Sequence, residues 1–144
     1  MYKRQVREED EWLNWIKGNE LAVYDLTQKI ISLNLNWYRG TKHEIRLKSQ
    51  FVALDAINPK SLITNTKGYL LDHTADISPF TQGITSFQIR YKYEIAPLSN
   101  IYLVYTKGGN VFNDDKDRST SQTFREPWNN PDNEILSLKF RLKF

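Results

Sequence analysis

The last part of the sequence, residues 136–144, alternates apolar and polar side chains without interruption. Successive side chains of an extended chain point to opposite faces, so every second residue shares a face. One face of this segment is therefore apolar, and the other carries Ser137 and cationic side chains. Such a strand needs either a packed core or lipid against its apolar face. The apolar residues are Leu136, Leu138, Phe140, Leu142 and Phe144.

Four further segments alternate in the same way and lie earlier in the chain. They cover residues 22–37, 44–53, 87–95 and 101–107. Alternation with a period of two residues is typical of half-buried β-strands. Together with the terminal strand, the sequence predicts an all-β fold, an antiparallel up-and-down meander of about five strands.

The connections between these strands alternate in length. Residues 38–41 and 96–100 are short turns, whereas residues 57–83 and 108–133 are long and predicted to be loops. Short turns at one end of a sheet and long loops at the other are typical of outer-membrane β-barrels. The alternation therefore favours the C-terminal part of a transmembrane outer-membrane β-barrel.

The N-terminal segment differs from the rest of the chain because it is highly charged. Trp12 and Trp15 have helical spacing, and Gly18 is a stop signal. We therefore predict that residues 1–20 form an external loop or a short helix and that residues 21–144 form the barrel segment. This segment carries charge where a secretory signal has its apolar core, so no export signal is expected in it.

Charged side chains occupy the polar face of the predicted strands. Opposite charges on one face can pair across strands, which is typical of the polar interior of a barrel that holds water. The alternative is a solvated outer face over a packed core, which gives the same alternation. The predicted lumen-facing residues are Glu44, Arg46, Lys48, Arg90, Lys92, Glu94, Lys139 and Arg141.

Composition excludes several other classes of protein. The chain of 144 residues has no cysteine and a net charge of +3, so it has neither a disulfide framework nor a strongly basic surface. No apolar run approaches the roughly 20 residues of a membrane helix. His43 and His73 lack partners at catalytic or metal-binding spacing, and no enzyme activity, cofactor or metal is predicted. Because bases and aromatics alternate in residues 90–93, they lie on opposite faces, which argues against nucleic-acid binding.

Three segments, residues 15–21, 42–48 and 87–106, resemble the C-terminal barrel of an uncharacterised bacterial outer-membrane family. Members of that family usually carry an exported N-terminal domain similar to carbohydrate-binding family 9. The resemblance implies that the barrel-assembly machinery recognises the terminal apolar pattern, which ends at Phe144. Barrels of this kind have at least about eight strands, so remaining strands from the same or another chain are expected as partners.

Two functions fit these observations. The first is a non-catalytic segment in the outer membrane of a Gram-negative bacterium, in contact with outer-membrane lipid. It would form part of a pore, a transporter or a membrane anchor for a surface or periplasmic domain. The alternative is a soluble antiparallel β-barrel or sandwich that binds a small apolar ligand or a carbohydrate. In that case Leu138 and Phe140 pack inward, away from solvent.

Overall fold

A computed structural model gives the structure of the chain and describes residues 1–114 and 118–143. Strands account for most of it, and one helix precedes the last strand. The elements are β1 (Tyr2–Lys17), β2 (Glu20–Arg39), β3 (His43–Thr64), β4 (Leu70–Asp72), β5 (Phe80–Ala96), β6 (Ser99–Asn113), α1 (Thr120–Asn129) and β7 (Asn133–Arg141).

All seven strands belong to one sheet, in the order β1-β2-β3-β5-β6-β7, with β4 paired to β3. Each neighbouring pair is antiparallel. The predicted all-β, antiparallel up-and-down arrangement is therefore confirmed, with seven strands instead of about five. Within the described residues, β1 and β7 each pair on one side only, so the sheet is open and does not close into a barrel.

Register assigns every strand residue to one of two faces. The helix face, on which α1 lies, contains Leu47 of β3, which is opposite Leu35 of β2 and Ile89 of β5. The charged face contains Arg46 of β3, which is opposite Asn36 and Arg90. Side chains alternate along each strand, so the face of every other strand residue follows from these two rows of opposite residues.

A small core lies on the charged face, at the end of the sheet where the long connections are. Leu26, Ala56 and Phe80 are opposite one another on β2, β3 and β5, and all are buried. Tyr24 packs edge-on against Phe80, with ring centroids 5.2 Å apart. Trp12 of β1 packs against the same cluster. Trp12 thus packs the charged N-terminal strand against this core.

Helix α1 begins with a capping box, in which Gln122 N donates to the Ser119 hydroxyl and Ser119 N donates to the Gln122 side chain. Its buried residues, Thr123 and Pro127, lie directly on the sheet. A Cβ atom at Gly109 of β6 would collide with the carbonyl oxygen of Pro127. A Cβ at Gly83 of β5 would collide in the same way with the carbonyl oxygen of Thr123. These two glycines therefore let the helix backbone approach the strands closely.

The prediction that residues 1–20 form an external loop or short helix is wrong, because Tyr2–Lys17 is a strand. A two-residue turn at Gly18 and Asn19 joins it to β2, and Gly18 has a φ of +54°. Most of β1 is exposed and charged, so it has no apolar alternation to reveal it. Its ladder with β2 provides the backbone hydrogen bonds, which makes it part of the same sheet as residues 21–144.

Both predicted long loops also contain regular structure. The first, 57–83, holds the end of β3, all of β4 and the start of β5. Pro59 is tolerated in β3 because it follows Asn58, which has a φ of +52°, at a bulge in the ladder with β2. The second, 108–133, holds the end of β6 and α1. The strict alternation of short and long connections is also broken, since the turn from β1 to β2 is short.

Replacing Gly109 by Ala tests the close approach of α1. We expect a loss of about 1–3 kcal/mol in the free energy of unfolding, because the added methyl group must displace the helix backbone. Gly108→Ala is the matched control, since its Cβ would meet only the Asn133 side chain, at 3.2 Å. Denaturant titration measures both variants. Equal stabilities would show that α1 does not depend on this contact.

Burial, together with the negative charge of Asp114, raises the pKa of Tyr24. The unfolded chain then loses this proton first, so stability should fall as pH rises above the usual tyrosine pKa of about 10. We therefore compare the unfolding midpoints of the wild type and of Tyr24→Phe at neutral pH and above about pH 10. We expect the midpoint of the wild type to fall more between the two pH values, because the variant has no hydroxyl to titrate. Equal falls would show that Tyr24 does not contribute.

Candidate functional site

Six cations lie on the charged face, at the end of the sheet where the short turns are. Register places Arg46 opposite Arg90, and Lys92 opposite both Glu44 and Tyr102. Lys139 of β7 is opposite Tyr102 in turn. We call the six residues the cationic strip. Its members are Arg46, Lys48, Arg90, Lys92, Lys139 and Arg141.

Only part of this charge is neutralised within the described chain. Arg46 forms an ion pair with Glu44, through Nε donating to Oε1. Arg90 lies over the ring of Tyr102, with its guanidinium carbon 6.0 Å from the ring centroid. Among residues 1–114 and 118–143, the other five cations of the strip have no carboxylate within 4.0 Å. The strip therefore carries a strong local excess of positive charge, although the chain as a whole is only slightly basic.

Three cavities lie along the strip. The smallest, of about 80 Å³, is lined by Arg46, Lys48, Gln88 and Arg90. A cavity of about 460 Å³ reaches from Arg90 to Lys139 of β7. The third, of about 450 Å³, extends from Lys48 toward the middle of the sheet and is lined mainly by hydroxyl and amide side chains. The cationic side chains of the strip thus line open cavities that water and anions can enter.

The helix face at the same end of the sheet is apolar. We call this surface the apolar band, and it spans five strands: β2, β3, β5, β6 and β7. Register places its residues side by side on neighbouring strands. The side chains of many of them are exposed to solvent. Its residues are Ile31, Leu33, Leu35, Trp37, Ile45, Leu47, Phe51, Phe87, Ile89, Tyr91, Tyr93, Ile101, Leu103, Tyr105, Leu136, Leu138 and Phe140.

The predicted assembly signal falls largely within this band. Leu136, Leu138 and Phe140 are opposite Tyr105, Leu103 and Ile101 of β6, respectively. Leu142 follows the end of β7 and is exposed. Phe144 lies outside the described residues.

Aromatic residues border the apolar band at both ends. Near the short turns, the Tyr91 hydroxyl and His43 Nδ1 are hydrogen-bonded at 2.7 Å, and the Tyr93 ring stacks on His43 at 4.9 Å. Near α1, the rings of Phe87 and Trp128 meet edge to face at 5.4 Å. Aromatic rings with polar atoms suit the boundary between an apolar and an aqueous phase.

The groove beneath α1 is a feature that the sequence reading missed. Its volume is about 540 Å³, and apolar side chains from the sheet and the helix line it, among them Phe51, Phe87, Phe124 and Trp128. Lys107 Nζ lies 4.8 Å from the Trp128 ring centroid. The capping pair Ser119 and Gln122 is a signal that indicates this helix, but Pro127 inside it argues against a helical reading.

Within residues 1–114 and 118–143, no three His, Asp or Glu side chains gather to hold a metal ion. No helix in the same ranges is long and apolar enough to cross a membrane. Arg90 and Lys92 lie on the charged face, whereas Tyr91 and Tyr93 lie on the helix face. Arg90 and Lys92 therefore do not share a face with Tyr91 and Tyr93, although Tyr102 lies on the charged face beside Arg90.

Comparison of the chain with protein family models, with curated proteins and with solved structures finds no match. The function must therefore be argued from the two faces of the sheet.

Glu44→Gln tests the charge excess of the strip. Removing this carboxylate leaves Arg46 beside Arg90 with no described counter-ion, so we expect a lower unfolding midpoint at low salt. The difference should largely vanish at about 1 M salt, where the Debye length is about 3 Å. Glu94→Gln is the matched control, because Glu94 faces Asn100 and forms no ion pair within the described residues. Equal effects of both variants would contradict the expectation.

Proposed function

We propose that the sheet is a segment of a transmembrane outer-membrane β-barrel, with the apolar band against lipid. The observation that carries the proposal is the exposure of this band. Leu35, Leu136, Leu138 and Phe140 have fractional exposures of 49%, 69%, 59% and 58%. Soluble proteins rarely leave so many large apolar side chains next to one another in water, since contiguous apolar patches mark contacts with membranes or partners.

The height of the apolar band supports a lipid environment. Along β3 it runs from the row of His43 to the row of Phe51, where α1 packs. These nine residues agree with the roughly 9–11 residues that a tilted strand uses to cross the hydrocarbon core. Aromatic residues at both ends of the band correspond to the two aromatic girdles of such barrels.

The opposite face supports the same orientation. Where the helix face is apolar, the charged face carries the cationic strip, as expected for a wall of a water-filled lumen. Beyond α1, toward the long connections, the buried apolar residues lie on the charged face instead of the helix face. They form the cluster of Tyr24, Leu26 and Phe80. That half of the sheet has a core of its own and needs no lipid.

The open edges of the sheet support a need for partner strands. Unpaired backbone groups are too costly in hydrocarbon, so the edges formed by β7 and by residues 35–39 of β2 require further strands. We propose that these come from the same or another chain and that the barrel-assembly machinery inserts the complete barrel. The segment then serves, without catalysis, as part of a pore, a transporter or an anchor in the outer membrane of a Gram-negative bacterium.

A second candidate function rests on the groove beneath α1. A cavity of about 540 Å³ with apolar walls has the size and lining of a small-molecule site. In a water-soluble sheet, an apolar ligand would fill this groove between Phe51 and Phe124. The exposed leucines of β7 lie outside the groove, so this function leaves most of the apolar band unexplained.

Tryptophan fluorescence distinguishes the two functions. The full chain is reconstituted in vesicles whose lipids carry bromine on the acyl chains, at a protein concentration that lets several copies supply one another's missing strands, using variants that keep a single tryptophan. We expect strong quenching of Trp37 and of Trp128, which lie near the two ends of the apolar band. Trp15 is the matched control, because it is 64% exposed beside the turn from β1 to β2 and should be quenched little.

Quenching of Trp128 without quenching of Trp37 would favour apolar-ligand binding at the groove over a membrane-spanning sheet. Absence of quenching at both positions, in a chain that stays monomeric without detergent, would refute the membrane proposal.

A further inference from the structure

The Arg46–Arg90 pair is the most unusual feature of the cationic strip. The two residues are directly opposite on β3 and β5, and both side chains lie on the charged face. Like charges in this position destabilise a sheet unless something neutralises them. We propose that this pair, with Lys48 and Gln88, binds the phosphate group of a soluble anion.

The donor groups converge on one place. Lys48 and Gln88 are directly opposite each other, one row further along the same face. The same four side chains line the cavity of about 80 Å³. Guanidinium groups present several N–H donors in a rigid fork that matches phosphate oxygens, while the ammonium and amide groups add further donors. The cavity is therefore lined by four side chains that carry hydrogen-bond donors, three of which are cationic.

Neighbouring residues orient both arginines. The Nε atom of Arg46 donates to Glu44, and the Tyr38 side chain also interacts with the Arg46 guanidinium group. Arg90 lies over the ring of Tyr102. Glu44 and Tyr102 are thus positioning residues, and fixing a guanidinium group in advance lowers the entropy lost on binding.

The surroundings favour a small soluble anion. Lys92 and Lys139 stand close in register without a carboxylate partner in the described part of the chain, and their charge attracts anions to the cavity. A lipid head group is disfavoured because the strip and the apolar band lie on opposite faces of the sheet. The cavity holds one phosphate group, which fits a phosphorylated solute better than a folded partner.

A role for this site in solute passage rests on the proposed function, since only a barrel makes the charged face a lumen. Phosphate binding by the four side chains does not depend on the barrel. We therefore measure the two separately, with phosphate binding measured on the full chain in detergent micelles and membrane insertion measured by the fluorescence experiment above.

The probe is inorganic phosphate, titrated at low ionic strength and followed by calorimetry. We expect Arg90→Gln to weaken phosphate binding by about tenfold, the scale of one lost charge-assisted contact. Lys60→Gln is the matched control, because it removes one positive charge at an exposed position of β3, away from the strip. It should change the affinity by less than about twofold, since distant surface charges are screened by salt.

A folding defect is separated from a binding defect by two further measurements. Arg90→Gln relieves the like-charge pair, so its unfolding midpoint at low salt should equal or exceed that of the wild type. Arg90→Lys keeps the charge but loses the fork, so it should retain part of the affinity. No phosphate binding by the wild type, or equal losses in Arg90→Gln and Lys60→Gln, would overturn the site.

Failure of one proposal leaves the other measurable. Phosphate binding without quenching of Trp37 and Trp128 would keep the anion site and remove the lumen. Quenching without phosphate binding would keep the membrane segment and remove the anion site.

Discussion

The backbone pairing of β3 is the interaction on which the rest of the structure depends. It hydrogen-bonds to β2 along nearly its whole length, and on the other side to β5 over residues 43–56 and to β4 over residues 62–64. Because side chains alternate with a period of two, this register decides which residues of the neighbouring strands share a face. A shift of β3 by one residue would move Leu47 to the charged face and Arg46 to the helix face. Both the apolar band and the cationic strip would then be interrupted at their centre.

Helix α1 marks the level at which the sheet changes its apolar side. Toward the short turns, large apolar residues lie on the helix face, whereas beyond α1 the buried residues lie on the charged face. Two glycines, Gly83 and Gly109, allow the helix to sit directly on the strands at this level. Each long strand is therefore apolar on the helix face in one half and on the charged face in the other half. Helix α1 covers the helix face at the boundary between these two halves.

Alternation made the middle of five strands and their two faces predictable, because a period of two residues is a local property of the sequence. The same logic placed Arg46 and Arg90 on one face, but it did not reveal that they are directly opposite, which depends on register between distant segments. Strand β1 escaped prediction because its charges are solvated on both faces and its stability comes from pairing with β2. Helix α1 escaped because Pro127 lies inside it. Tertiary contacts, which no local pattern records, decide both elements.

The direction of the strands restricts how the apolar half of the sheet can close. Five strands contribute to the apolar band, and the outer two, β2 and β7, run the same way, because every neighbouring pair between them is antiparallel. A ring made only of antiparallel neighbours has an even number of strands. In the proposed barrel, an odd number of additional strands would therefore complete this half, and at least about three would be needed to reach the eight of the smallest known barrels.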